Sequence, residues 1–200
     1  LGQNTTVVML SDNGFNLGTH DSFHKMSQWD SAAHVPLGIW HAGMKGGRVV
    51  DVPVSLHNLP KTILDLAGLP PRPNWVSGQS LLPLINARLG KYDRRKSPLT
   101  AVFGTLSVRP STEGLDHLRY FRYPNGEEHV YDVQRDPGET TNIVSGPDTP
   151  ALRAELVRAG AELGLDLRGL GHPDSGLNAM MAMDGTVALC GGTAGSAFWG

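Results

Sequence analysis

Val7-Val8-Met9-Leu10-Ser11-Asp12-Asn13-Gly14 joins a short apolar, β-branched run to a cluster of polar turn residues. A continuous apolar run of this length reads as a fully buried parallel strand whose carboxyl end passes polar residues into a loop. Open α/β sheets place their ligands at such strand ends. Working outward, Val35-Pro36-Leu37-Gly38-Ile39-Trp40 reads as the neighbouring strand, with Pro36 near its start, where a missing donor costs least. Asn58 then reads as a helix N-cap with Pro60 in the first turn. Leu59, Ile63, Leu66 and Ala67 fall on one helical face, and Gly68 stands where a helix-ending glycine belongs. The fold class expected is α/β.

Residues 70–98 are rich in Pro, Gly, Asn and Arg and read as a long connection, with Leu81-Leu82-Pro83-Leu84-Ile85 as a small apolar anchor. From residue 100 the pattern turns to strands. Ala101-Val102-Phe103 is one. Leu118–Tyr123 and Glu128–Val133 flank Pro124-Asn125-Gly126, a hairpin signal. Asp136-Pro137-Gly138-Glu139 is a further turn. Thr149 reads as the N-cap of a helix with Pro150 at its first position and a stripe of Leu152, Leu156 and Leu163. Beyond residue 164 periodicity stops and glycines crowd in.

Composition removes several functions. With 17 Lys and Arg against 19 Asp and Glu, and the basic residues scattered, the chain has no stripe for nucleic acid. No run reaches the roughly 18 apolar residues of a membrane helix. The single cysteine, Cys190, rules out an internal disulfide framework and a multi-cysteine zinc site.

Chemistry concentrates near the first strand. Asp12 and Asn13 offer adjacent carboxylate and amide oxygens, hard ligands suited to Ca²⁺ or Mg²⁺. Taken alone, Asp-Asn-Gly is turn chemistry first. Lys25 is a compact charge suited to clamping an oxyanion, and His20 and His24 are of the residue type that relays protons or ligates a metal. A solvated loop with incidental charges is the equal alternative from that window.

In combination, Ser11-Asp12-Asn13-Gly14-Phe15-Asn16-Leu17-Gly18-Thr19-His20, then Lys25-Met26-Ser27, then His34-Val35-Pro36-Leu37, closely resembles the sulfatase family of the alkaline-phosphatase-like superfamily. The resemblance continues through Gly46-Gly47-Arg48-Val49, Val54-Ser55-Leu56, Leu64-Asp65-Leu66-Ala67-Gly68-Leu69-Pro70 and Gly78-Gln79-Ser80-Leu81-Leu82-Pro83-Leu84. It ends in Tyr131-Asp132-Val133, Asp136-Pro137-Gly138-Glu139 and Asn142, which look like the family's carboxyl-terminal signature. The thirteen-residue step from Asp12 to Lys25, with His34 before Val-Pro-Leu, is similar to the iduronate- and choline-sulfatase-like branch.

The resemblance implies a sulfatase-like mixed sheet flanked by helices, followed by a small antiparallel β plus helix subdomain. The divisions are 1–98 for the catalytic α/β part, 99–164 for the hairpin and helix subdomain, and 165–200 for a Gly-rich tail. It implies metal-dependent hydrolysis of sulfate esters, with Asp12 and Asn13 as ligands of Ca²⁺, and Lys25 and His20 on the substrate's sulfate. Asn13 favours Ca²⁺ over the Mn²⁺ or Zn²⁺ of phosphate and phosphonate ester hydrolases on the same scaffold, since a histidine there would be softer. The substrate is a sulfated small molecule or sugar.

The departures are equally specific. The family nucleophile is a formylglycine made within C/S-x-P-x-R; Cys190 is followed by Gly191-Gly192-Thr193, and Ser97-Pro98 places proline one position early. The family's early Asp-Asp pair is absent as well. The chain therefore reads as the carboxyl-terminal half of a sulfatase, inactive in isolation, with a truncated non-catalytic remnant as the rival. Thr19 stands where Glu is commoner, which leaves sub-specificity open. Gly191-Gly192-Thr193-Ala194-Gly195-Ser196 resembles a degenerate calcium nonapeptide, and that tail points to periplasm or export, with cytoplasm equally compatible with the cysteine count. Oligomeric state is not legible.

Overall fold

The computed structural model describes residues 4–44, 46–70, 78–165 and 167. The tail from residue 168, with Cys190 and the nonapeptide-like glycines, lies outside the described residues. The described elements form a two-stranded ribbon packed on helices and a four-stranded antiparallel sheet covered by one long helix. None of the described helices is long and apolar enough to cross a membrane.

Strand β1, Thr6–Leu10, pairs with β2, Leu37–His41, in the register Thr6↔His41 to Leu10↔Leu37. The pairing is antiparallel, not the parallel arrangement expected. The path between the strands is the reason. Backbone bonds Ser11 N–H to Pro36 O, Gly14 N–H to Ala32 O, Phe15 N–H to Ser31 O and Gly18 N–H to Ser22 O zip the excursion onto itself. The chain therefore returns at the end it left, and an antiparallel partner follows. Nor is β1 fully buried: Val7 is 51% and Met9 67% exposed, while Val8 points the other way with Leu37 and Ile39 onto a helical core.

That core is built from Leu59, Leu81, Leu84 and Tyr92. After the one-turn helix α1, Asp30–Ala33, comes α2, Leu59–Leu66, and then α3, Leu82–Ile85, formed by the apolar anchor. Helix α2 is preceded by a 3-10 turn at Leu56–Asn58, so the capping side chain is Ser55, whose Oγ accepts the His57 N–H at 3.2 Å, and not Asn58. Asn58 instead donates from Nδ2 to the Tyr92 hydroxyl. The buried face also rotates. Thr62 is wholly buried, its hydroxyl donating to Asn58 O and accepting from Leu81 N–H, while Ile63 is 47% exposed. Ending the helix, Gly68 adopts φ +66° as expected.

Strands β3, Leu99–Val102, and β4, Thr105–Val108, form a hairpin closed by Phe103-Gly104, both with positive φ. This is a two-residue turn of the kind whose twist matches paired strands. The next hairpin, β5 at Leu118–Arg122 and β6 at Glu128–Asp132, falls where the Pro-Asn-Gly signal places it. Helix α4, Thr149–Glu162, has Asp148 at its N-cap position; Thr149 is its first residue, and its hydroxyl is spent on Val144 O instead of capping. The helix covers one face through Leu152, Leu156 and Ala159 against Leu106, Val108, Leu118, Tyr120 and Val130. Alternation along β5 sends Arg119 and Phe121 to the opposite face, toward the 14–34 excursion.

Candidate functional site

Asp12 and Asn13 follow directly on β1. Ser11 Oγ donates to Asn13 O at 2.7 Å, Asn13 N–H donates to Asp12 Oδ1 at 2.9 Å, and Asn13 Nδ2 donates to Gly14 O at 2.8 Å. The Asp12 carboxylate is exposed and the Asn13 amide half-buried. Gly14 is required by close approach: a Cβ there would sit 2.1 Å from Ser31 O. Asn16, wholly buried, donates from Nδ2 to Ser22 Oγ and accepts from Ser31 Oγ, so it pins both limbs of the excursion.

Lys25 sits on the same excursion between two fixed backbone points. His24 O accepts the Asn16 N–H at 3.1 Å, and Lys25 O accepts the Ser27 N–H at 2.8 Å. Its side chain is exposed and pairs with no carboxylate among the described residues.

His20 is held differently. Its backbone and that of Asp21 are left-handed, at φ +52° and +54°. The imidazole stacks on Trp29, centroids 3.7 Å apart and planes 13° from parallel. Although His20 is exposed over part of its surface, desolvation holds the imidazole below its ordinary range, opposed by the neighbouring Gly138 backbone and by the charges of Asp136 and Asp21. Trp29 in turn meets Phe121 of β5 at 4.8 Å and Tyr131 of β6 at 5.5 Å.

Beneath this aromatic stack lies a buried ion cluster. Arg119, 4% exposed on β5, donates from Nη1 to Gln28 O at 2.8 Å, from Nη2 to Asp30 Oδ1, and sets Nε 3.3 Å from Glu139 Oε1. Glu139, 2% exposed, accepts the Asp30 N–H on Oε2 at 2.7 Å. Arg109 Nη1 lies 3.9 Å from Asp30 Oδ1, and His34 Nδ1 lies 3.0 Å from Asp30 Oδ2. Burial acts to raise the Asp30 carboxyl, but the His34 hydrogen bond and the Arg119 and Arg109 charges outweigh it and hold it at about 2. Burial pushes Glu139 above the usual carboxylate range against the pull of Arg119. The hydrogen bond to Asp30 lifts His34 above the ordinary imidazole range.

The carboxyl-terminal signature thus has its structural work residue by residue. Asp132 Oδ1 accepts the N–H groups of Gln134 and Arg135, and Asp136 accepts those of Thr140 and Thr141. Asn142 Oδ1 accepts from Val130 N–H and finishes the outer edge of β6. Glu139 reaches back to the excursion. Sequence reasoning did not single out Asn16, Trp29, Asp30 or Arg119. The only local signal for Arg119 is a charge at an inward-facing position of a strand that is otherwise apolar on that face.

The structure brings Asp12, Asn13, His20 and Lys25 onto one zipped excursion. It does not enclose them. Among the described residues, two open hollows lie elsewhere, one beside His57, Ser97 and Glu162, the other between β5, β6 and α4. No group of three His, Cys, Asp or Glu suited to a metal occurs among the described residues.

Comparison with known proteins points one way. A family model described as Sulfatase matches residues 1–69. Human Arylsulfatase K is 35% identical over 150 residues, 70% of this chain and 28% of the relative. Among solved structures, a 2-O GAG sulfatase superposes with TM-score 0.61 at 26% identity, covering 77% of this chain and 35% of that one. A phosphonate monoester hydrolase from Silicibacter pomeroyi superposes with TM-score 0.57 at 26% identity, covering 79% and 33%. The chain spans 28% of the length of the curated relative it matches.

Proposed function

Because the chain belongs to the sulfatase family, we propose that the protein hydrolyses sulfate esters of small molecules or sugars and that these residues furnish one side of its site. Asp12 and Asn13 would hold a divalent cation. The donors fit: Asp12 keeps an oxygen beyond the one that accepts Asn13 N–H, and with Asn13 Nδ2 tied to Gly14 the amide oxygen is its remaining ligand. Two hard oxygens suit Ca²⁺, which takes roughly six to eight oxygen ligands, so water, the ester's own oxygens or other protein oxygens would complete the shell. When bound, such an ion stabilises charge on the ester's oxygens. Lys25 would contact the sulfate oxygens with its compact ammonium, and neutral His20 would offer one ring nitrogen as acceptor. The formylglycine nucleophile is outside this set, since no C/S-x-P-x-R occurs in the 200 residues. On the same reading, residues 1–98 belong to the catalytic part and 99–164 to a supporting subdomain.

One observation carries this reading. The backbone ladder that zips residues 11–36 holds Asp12, Asn13 and Lys25 on one excursion, inside the stretch that matches the family. The test is aryl sulfate turnover and bound-metal content of the full-length protein. Asp12→Ala should lose both. Lys25→Ala should lower turnover about a hundred- to a thousandfold, as for loss of one oxyanion contact. Normal turnover in either folded variant overturns the assignment. The likeness to a phosphonate monoester hydrolase supports a second reading, hydrolysis of phosphonate esters. A higher kcat/KM for an aryl phosphonate than for the aryl sulfate would favour it.

A further inference from the structure

The proposed site leaves one arrangement without a task. Two consecutive residues without glycine's freedom, His20 and Asp21, hold positive φ, a conformation that persists only when surroundings over-determine it and that clusters at functional sites. What over-determines it comes from three parts of the chain. Trp29 lies flat beneath the imidazole at 3.7 Å. Trp29 is itself wedged against Phe121 and Tyr131 from two strands of the other sheet. The turn carrying Gly138 is tied to the excursion by Glu139, through Asp30 N–H and Arg119.

We infer that Trp29 and the Asp136–Glu139 turn are positioning elements for His20, which hold its ring in one orientation and one tautomer with an N–H donated to the Gly138 carbonyl. In a neutral imidazole the second nitrogen is then an acceptor, so the ring is set to accept a proton or hydrogen bond. The charged groups that bear on this ring are Asp21 from its own segment and Asp136 from the turn, and both act to raise it against its burial. The four-stranded sheet and the signature turn thereby act on the proposed site at a distance in sequence of more than a hundred residues. This inference rests on the reading of His20 as a substrate-side residue.

NMR titration of the isotopically labelled protein tests it without activity. In the wild type, His20 should show one tautomer when neutral, a midpoint below the ordinary imidazole value and ring contacts to Trp29. Mixed tautomers or an ordinary midpoint would overturn the inference with no variant needed. Trp29→Leu should raise the midpoint and mix the tautomers, while Trp29→Phe should largely keep both. An unchanged His20 titration in folded Trp29→Leu would also overturn it. In the full-length protein, Trp29→Leu should lower kcat about ten- to a hundredfold with KM little changed, and Trp29→Phe should restore most of it. His20→Gln separates the two readings. Full activity in that variant, with the wild-type tautomer still fixed, would sink the substrate-side role and leave the positioning intact.

Discussion

Arg119→Met is the sharpest perturbation of this molecule. Arg119 is 4% exposed; it donates to Gln28 O at 2.8 Å and to the Asp30 carboxylate, and forms an ion pair with Glu139 Oε1 at 3.3 Å without a hydrogen bond. Methionine fills much of the same space but leaves two carboxylates facing one another. The remaining cations are poorly placed to replace it, with Arg109 3.9 Å from Asp30 and the His34 ring largely exposed. Removing one partner of a buried ionic cluster costs about 3–5 kcal/mol, most of it the uncompensated charge. At roughly 2–4 °C per kcal/mol for a chain of this size, the melting temperature should fall by roughly 6–20 °C. Urea unfolding followed by tryptophan fluorescence reports the loss, because Trp29, next to Asp30 in the chain, packs on Phe121 and Tyr131 of the same sheet. Adding Glu139→Gln to Arg119→Met removes one stranded charge and should recover about 1–2 kcal/mol. A loss below about 1 kcal/mol in the single variant would refute the charge argument. So would a double variant less stable than the single one.

Two further outcomes follow from the same geometry. Asp30 is held at about 2 in the folded state, below its ordinary 3.8, so its contribution is present above the ordinary value and is lost as pH falls through the folded one. That is about 2 kcal/mol of stability that should disappear between roughly pH 4 and 2. Glu139, raised by burial, opposes this by gaining as it protonates, and His34, raised, gives a small screened contribution present below its ordinary value and lost as pH rises through its folded one. Urea midpoints against pH for wild type and Asp30→Asn check it, and parallel curves below pH 4 would refute the assignment. Gly14→Ala should cost at least about 2 kcal/mol, because its Cβ would meet the Ser31 backbone oxygen at 2.1 Å and backbone cannot swing aside. Thermal melts measure it, and a shift under about 2 °C would show that the excursion yields.

Local chemistry was enough for the elements whose causes are local. The Pro124-Asn125-Gly126 turn, the Asp136–Glu139 turn, the helix opened by Thr149-Pro150 and the stop at Gly68 each depend on residues within a few positions, and each is where its residues place it. The motif order from Ser11 to Asn142 was likewise readable, because a family pattern is a property of the string. The second strand of the 99–108 hairpin was missed, since Phe103 carries the positive φ of a turn that glycine or asparagine usually announces.

What the string could not contain were outcomes decided by contacts across long separations. The direction of β2 depends on how residues 11–36 fold back, and an apolar run has the same composition whichever way its partner runs. Thr62 is buried in place of Ile63 because its hydroxyl finds Asn58 O and Leu81 N–H, a match that exists only once residue 81 arrives. Asp30, Arg119 and Glu139 are ordinary surface-type residues until the sheet's far face meets the excursion. Only there does removal from water make their pairing obligatory, and only there does the carboxyl-terminal signature acquire a bearing on the residues around His20.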